Sequence, residues 1–364
     1  MLYESVFEQL RQDIEKGLYP VGSKLPLMAD LCEKFSVSSI TVRKALDMLR
    51  KEGYIDRQPR IGTTVISTNP NSSPQAGGLP LIAFILTGFD DAFGTKIVES
   101  ALDAARNKAN VIMQFTKGDE ALEDAAIDSA VNAGAQGLIL MPSSSAFIPN
   151  RVLELVSRGF PVTTIDRDFQ GVPITTVNSD NMQGAQDATE RLIALGHRHI
   201  ALITSHSHVT SNYDRRSGWA LAYARDNIVM DEELRVQSIS FPIDKAKREK
   251  AIAQNVKELE SFISRHPEVT AYLVGEYGIA LLLRTALIRL GKKIPKDASI
   301  ICFDYPDTQY DDNMPQFTCV AQDQQRIGSS AVRETLSQIR NGAAAKKIVI
   351  PTRLLEGDST ARVA

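Results

Sequence analysis

Apolar residues are spaced in two different ways along this chain, and the change falls near residue 70. In the first stretch Tyr3, Val6, Leu10 and Ile14, then Leu27, Leu31 and Phe35, then Val42, Ala45, Leu46 and Leu49 recur at i, i+3, i+4 intervals. That period gives a helix one apolar stripe, so three helices are predicted. Gly53 stops the third, and residues 54–57 and 63–66 read as two short strands around a turn holding Pro59 and Gly62. Beyond residue 80 short apolar runs alternate with amphipathic stretches. Strands are predicted at 81–86, 111–115, 137–141, 162–165, 200–204, 271–274 and 300–303, and helices at 97–108, 122–132, 185–195 and 279–290. Such alternation predicts parallel sheet covered by helices on both faces. There are more strands than one doubly wound sheet needs, so two lobes sharing a hinge are expected. No internal repeat is visible in the sequence.

Between the two patterns the chain reads Ser-Thr-Asn-Pro-Asn-Ser-Ser-Pro-Gln-Ala-Gly-Gly-Leu-Pro, all turn formers with almost nothing to bury. We read a DNA-binding head at 1–66, a linker at 67–80 and a larger α/β domain at 81–358. With 364 residues, 43% apolar and 23% charged, the chain has the composition of a soluble globular protein. Cys32, Cys302 and Cys319 lie far apart in sequence without CxxC spacing, which speaks against a disulfide framework or zinc knuckle and for a cytoplasmic setting. No run is long enough to span a bilayer, and residues 1–11 lack the pattern of a secretory signal.

The net charge of −3 gives no hint of nucleic acid, but its distribution does. From Ser38 to Thr63 there are six basic residues (Arg43, Lys44, Arg50, Lys51, Arg57, Arg60) against three acidic ones (Asp47, Glu52, Asp56). A helix, a short turn around Val37 and a second helix carrying that charge would suit a major groove, with the hairpin tracking phosphates. A solvated helix face is the plainer alternative for any charge run. The segment Ser36-Val-Ser-Ser-Ile-Thr-Val-Arg-Lys-Ala-Leu-Asp-Met-Leu-Arg-Lys-Glu-Gly-Tyr54, with Gly22-Ser-Lys-Leu-Pro26 before it and Gly62-Thr-Thr-Val65 after it, resembles the winged helix of the GntR family. The resemblance implies double-stranded DNA as partner, with Ser38, Ser39, Thr41, Arg43 and Lys44 on the recognition helix and Arg60, Gly62 and Thr63 on the wing. Two arginines usual in that family are missing, at Pro26-Leu-Met-Ala and at Ser38-Ser39, so its operator sequence does not transfer.

In parallel α/β sheets ligands sit beyond the carboxyl ends of strands. Asp90, Asp91 and Phe93 follow the first predicted strand of the large domain, Asp166 and Arg167 follow 162–165, and Asp304 follows 300–303. Carboxylates, a guanidinium and an aromatic face are what a hydroxyl-rich ligand needs, although salt bridges at strand ends would look the same. The runs Phe160-Pro-Val-Thr-Thr-Ile-Asp-Arg167, Val177-Asn-Ser-Asp-Asn-Met-Gln-Gly-Ala185, Ala188-Thr-Glu-Arg-Leu-Ile-Ala-Leu-Gly-His-Arg-His-Ile-Ala201 and Arg215-Arg-Ser-Gly-Trp219 resemble the effector domain of LacI/GalR-type repressors, a two-lobed periplasmic-binding-protein type I fold. That resemblance implies that Asp166, Arg167, Arg215, Asp304 and Gln322 bind effector, with Glu276 where the family commonly has Asn. Together the two resemblances describe a homodimeric repressor responsive to a pentose or related monosaccharide.

Four histidines within twelve residues, His197, His199, His206 and His208, invite a metal site. They fall in pairs at opposite ends of a predicted strand, so no metal is expected, and His197 reads as helix-end capping. Gly17 to Lys24 imitates a phosphate loop without the preceding strand or the Lys-Ser/Thr order. Neither GxGxxG nor GxSxG is present, so no cofactor and no catalytic residue are expected. The alternatives are a regulator answering to a non-sugar metabolite such as a purine, and a metabolite-binding enzyme without a DNA role.

Overall fold

A computed structural model of the chain describes residues 2–20, 22–58, 62–67, 79–239, 245–306 and 315–363. Most of the expected linker, and Arg60, lie outside them. The chain divides into two compact units, residues 1–78 and 79–364.

In the first unit α1 (Leu2–Glu15), α2 (Met28–Phe35) and α3 (Ser39–Lys51) precede β1 (Ile55–Gln58) and β2 (Gly62–Val65). The apolar stripes meet as their spacing requires: Leu10, Ile14, Leu31, Val42, Ala45 and Leu49 are fully buried in one cluster. Each of these leucine, isoleucine and valine side chains contributes roughly 1.5–3 kcal/mol. Ser36 ends α2 in the left-handed conformation (φ 51°) and Ser38 opens α3, its hydroxyl accepting from the Thr41 backbone N–H at 3.4 Å. The turn between α2 and α3 is thereby held by its own polar residues. Two strands were expected, but the hairpin has a third edge: Gly22 N–H donates to Val65 O (2.8 Å), Val65 N–H to Ser23 O (2.9 Å) and Leu25 N–H to Thr63 O (2.9 Å). The segment from Gly22 to Leu25 thus lies against β2 through an isolated antiparallel bridge, Lys24 opposite Thr64.

The second unit consists of two lobes. Lobe one contains β3 (Leu81–Leu86), α4 (Thr95–Ala105), β4 (Asn110–Phe115), α5 (Glu120–Asn132), β5 (Gly137–Leu140), α6 (Asn150–Ser157), β6 (Val162–Ile165) and β7 (Thr175–Ser179). Lobe two contains α7 (Asn181–Ala194), β8 (Ile200–Ser205), α8 (Thr210–Arg225), β9 (Arg235–Ile239), α9 (Lys245–Arg265), β10 (Ala271–Val274), α10 (Tyr277–Arg289), β11 (Ser299–Phe303) and β12 (Thr318–Ala321). The chain then returns through α11 (Gln324–Asn341) and β13 (Lys347–Ile350) to lobe one and ends with β14 (Arg353–Leu355) in lobe two. It crosses between lobes three times, near residues 180, 323 and 351.

The sheet orders are β13-β7-β6-β5-β3-β4 and β14-β12-β11-β10-β8-β9. Substituting strand for strand turns one into the other, so the lobes repeat one plan that the sequence does not display. The repeat extends to detail. Asp180 and Asp323 each cap the following helix by accepting from the third residue on, Gln183 and Arg326, at 3.0 Å. Gly218 lets α8 approach α7, and Gly328 lets α11 approach α4; a Cβ would collide with Met182 O in the first case and Ile97 O in the second. Because both obstacles are backbone, neither can swing aside. We expect Gly218→Ala and Gly328→Ala each to cost about 1–3 kcal/mol or more, lowering Tm by several degrees in a melt followed by circular dichroism.

His197 does close the end of α7, its backbone N–H donating to Leu192 O (3.2 Å) behind a left-handed Gly196; its ring joins Thr270 Oγ1 (2.8 Å), Ser299 Oγ (3.0 Å) and Ala361 O (3.1 Å), pinning the C-terminal tail, and burial lowers its pKa. That tail continues past residue 358, with Val363 N–H donating to Leu195 O at 3.0 Å. Cys302 and Cys319, distant in sequence, are register partners on adjacent strands, and burial pushes both thiols up. A thiol so raised is a core residue, not a reactive one. No described helix is long and apolar enough to cross a membrane.

Candidate functional site

In the second unit the loops at the carboxyl ends of both sheets face each other. Asp166 follows β6 and Asp304 follows β11, each in the left-handed conformation (φ 63° and 62°). Each also donates its backbone N–H to the neighbouring strand, Asp166 to Val177 O (3.2 Å) and Asp304 to Val320 O (3.1 Å). This is the duplicated plan again. Aspartate tolerates that backbone region better than most residues, and holding it there aims a carboxylate out of the sheet end.

Between the two carboxylates lies Arg215, from α8. Its Nε donates to Asn181 Oδ1 (2.9 Å), its Nη1 donates to Gly275 O (2.6 Å), and its guanidinium stacks on the Phe303 ring at 4.0 Å. Burial lowers its pKa from the ordinary value, while Asp166, Asp304 and Glu276 pull it the other way. Gln322 Nε2 donates to Asp304 Oδ2 at 2.8 Å. Burial raises the Asp304 carboxyl to about 7 against the opposing pull of Arg215 and Gln322, with Asp166 and Asp90 adding to the rise. Asp304 Oδ1 and Gln322 Oε1 are buried without a hydrogen-bond partner among the described residues. Both residues line a cavity of about 180 Å³ to which Lys96 contributes from lobe one.

The expected effector residues thus fall into two groups. Asp166, Arg167, Arg215, Glu276, Asp304 and Gln322 are drawn together by charge and hydrogen bonds, with Asp304 and Gln322 lining the cavity. Arg167 is partly spoken for, its Nε on Asp166 Oδ2 (3.2 Å) and its Nη1 on Pro142 O (2.9 Å). Asp90 mainly builds its own loop, Oδ1 accepting from the N–H groups of Ala92 (2.8 Å) and Phe93 (2.9 Å). Phe93 is half-buried against the lobe-one core. Sequence reasoning missed Asn181, which orients Arg215, and Phe303, the aromatic face beneath it. The signal for Phe303 was its place one residue before Asp304 at a strand end.

On the first unit Ser38, Ser39, Arg43 and Lys44 are exposed on α3, and Thr41 is half-buried. Ser38 Oγ and Thr41 Oγ1 lie 3.0 Å apart, a pair that caps the helix as well as facing outward. Arg43 has no ion-pair partner among the described residues, whereas Lys44 Nζ sits 4.1 Å over the Tyr3 ring. Ile40, not among the expected contacts, is 75% exposed at the start of α3. Gly62 takes φ 114° at the start of β2, a conformation open to glycine, and Thr63 follows it half-buried. Among the described residues no cluster of three or more His, Cys, Asp or Glu is placed to hold a metal ion.

Comparison with known proteins gives this arrangement its class. Residues 2–65 match the model of bacterial regulatory proteins of the gntR family, and residues 189–360 match the periplasmic binding protein-like domain. The chain carries a GntR-type helix-turn-helix domain and a periplasmic binding protein-like, LacI-type domain of two parallel-sheet lobes, the combination of a DNA-binding transcriptional regulator. Among its relatives are two proteins named arabinose metabolism transcriptional repressor. That of Geobacillus stearothermophilus is 27% identical over 306 residues, 81% of each chain. That of Halalkalibacterium halodurans is 23% identical over 314 residues, 83% of this chain and 80% of the relative. The crystal structure of the transcription regulator CcpA of Lactococcus lactis superposes with a TM-score of 0.67 at 23% identity, over 78% of this chain and all of that one.

Proposed function

We propose that the protein is a cytoplasmic, homodimeric, sequence-specific repressor whose grip on its operator is set by a pentose or related monosaccharide held between the lobes. The observation that carries the sugar reading is the pair of bare acceptors, Asp304 Oδ1 and Gln322 Oε1, buried in residues that line one small cavity. A buried unpaired acceptor costs about 1–3 kcal/mol, which a ligand bringing O–H donors recovers. At about 180 Å³ the cavity falls below the roughly 300–1,000 Å³ of sites for drug-sized ligands, in keeping with one sugar ring. Relatives named for arabinose metabolism support a pentose.

In this reading residues 1–66 form the reading head, 67–80 a linker and 81–358 the effector and dimerisation domain. Ser38, Ser39, Thr41, Arg43, Lys44, Arg60, Gly62 and Thr63 meet DNA. Asp166, Arg167, Arg215, Glu276, Asp304 and Gln322 take the effector directly, and Asp90 and Phe93 shape the loop beside it. A single helix-turn-helix reads few base pairs, so two heads related by a dyad supply the half-sites. Effector binding favours one arrangement of the lobes, and the dimer passes that preference to the spacing of the heads.

A thermal-shift panel of L-arabinose, D-ribose, D-xylose, hexoses and purines tests the assignment. A pentose should raise Tm and change operator affinity by about 5–150-fold, the usual range of allosteric coupling. If a purine stabilises the protein and no sugar does, the sugar reading fails.

A further inference from the structure

The duplicated plan has a second product. The cavity at Asp304 is built from the turn after the fourth strand of lobe two, the start of its fifth strand (Phe317, Cys319), its edge strand β14 (Leu355) and, across the cleft, Lys96 on the first helix of lobe one. Its counterpart under the lobe exchange is a separate cavity of about 350 Å³. There the turn after β6 gives Asp168 and Phe169, the start of β7 gives Ile174 and Thr176, and β13 gives Lys347. Thr210 and Asp214 reach it from α8, which follows the first strand of lobe two as α4 follows that of lobe one. The two cavities draw on corresponding elements of the two lobes, although the edge strands differ in sense, β13 running parallel to β7 and β14 antiparallel to β12. Their chemistry differs.

The Asp168 backbone N–H donates to Thr210 Oγ1 at 3.1 Å, a bond between lobes that forms one wall. Two carboxylates, Asp168 and Asp214, bear on each other there; the one cation among the described residues lining the cavity, Lys347, acts on both, its Nζ standing 3.5 Å from Asp168 Oδ2 on a side chain 68% exposed. Desolvation and the charge of Asp168 hold the Asp214 carboxyl above its ordinary value against the opposing pull of Lys347 and Arg215, although the residue keeps an exposed edge. Thr176 adds an independent sign. Its neighbour Thr175 turns to α11, where Gln338 Nε2 donates to its hydroxyl (3.0 Å), so Thr176 faces the other side of the sheet, onto the cavity wall. Thr176 is only 7% exposed and its Oγ1 has no partner among the described residues. Phe169, Val172 and Ile174 supply an apolar side.

We propose that this second cavity is a binding site for a small organic ammonium ion, with Asp168 and Asp214 holding the charged nitrogen, Thr176 a hydrogen bond, and the apolar side a short methylene chain. No third carboxylate, histidine or cysteine among the described residues joins these two to hold a metal ion. A neutral sugar would leave the acidic excess unanswered. The site is chemically distinct from the effector cavity and stands whatever ligand that one takes.

Calorimetric titration of the full-length protein with putrescine tests it, using butanediol as the uncharged analogue of the same length. Putrescine should bind and butanediol should not. Asp214→Asn should weaken putrescine at least tenfold. Lys347→Met, which removes the competing cation, should tighten it several-fold. Asp304→Asn should leave it unchanged, which separates this site from the effector cavity. Absence of putrescine binding at millimolar concentration, equal binding of butanediol, or loss through Asp304→Asn rather than Asp214→Asn would each overturn the proposal.

Discussion

Arg215→Met will leave operator binding at full strength and remove its response to pentose. The side chain is buried, bonded to Asn181 and to Gly275 O, and stacked on Phe303, so no other described group can take its place between Asp166 and Asp304. Removing one member of a buried charge group commonly costs about 3–5 kcal/mol, because the partners keep their charge without compensation. Here one partner has an escape. The Asp304 carboxyl already titrates near 7, so in the variant it takes up a proton and the domain folds with a neutral acid where the effector expects an acceptor. Fluorescence anisotropy on labelled operator, with and without L-arabinose, reads the outcome. The native protein should show a shift of about 5–150-fold and the variant none. A variant that still responds would remove Arg215 from the effector site.

The same carboxyl sets a pH dependence whose sign is fixed. The bare Oδ1 serves O–H donors best when ionised, so effector binding favours loss of the proton. Affinity is then full above the pKa of about 7 and falls as pH drops through it, approaching tenfold per unit below. Asp304→Asn keeps an amide oxygen at the position but cannot titrate, so its weaker affinity should be flat with pH from 6 to 8. Retention of the native pH profile in that variant would assign the titration to another group.

How legible each element is in the sequence depends on where it finds its partners. The stripes of α1 to α3 and the apolar runs of β3, β5, β6, β8, β10 and β11 advertise burial through composition alone. The strand Thr175–Ser179 does not: it is polar almost throughout, yet buried. The Thr175 and Thr163 hydroxyls accept from Gln338 on α11 (3.0 and 3.2 Å), more than 160 residues away. Edge strands β13 and β14 are short and are fixed by the hinge crossings, again a long-range matter. In the effector cleft the strand-end acids were legible because a parallel topology sends the loop after each strand to the same edge of the sheet. Asn181 was not, since its role exists only once α8 brings Arg215 against it. Duplication escaped notice for a related reason, because the lobes share a path and a few capping and packing positions but few side chains.

Arg43→Ala carries the largest expected effect on the first unit. Ser38 and Thr41 fix the start of α3, and Arg43 projects from the exposed face one turn further on with no ion-pair partner among the described residues to restrain it. A free guanidinium on a helix that enters a groove meets either a phosphate or a guanine edge, and salt and sequence tell the two apart. With two heads per operator, loss of two phosphate contacts should reduce the slope of log affinity against log salt by about 1.8 and weaken all sequences alike. Loss of a bidentate guanine contact should cost about 1–3 kcal/mol per half-site on the cognate operator and little on unrelated duplex. We expect the second pattern, since the two arginines usual in neighbouring positions are absent and base reading then rests on fewer side chains. Pentose binding should stay native in this variant, because the substituted residue belongs to a different compact unit from the effector cavity. Unchanged operator affinity and salt slope would take Arg43 out of the DNA interface.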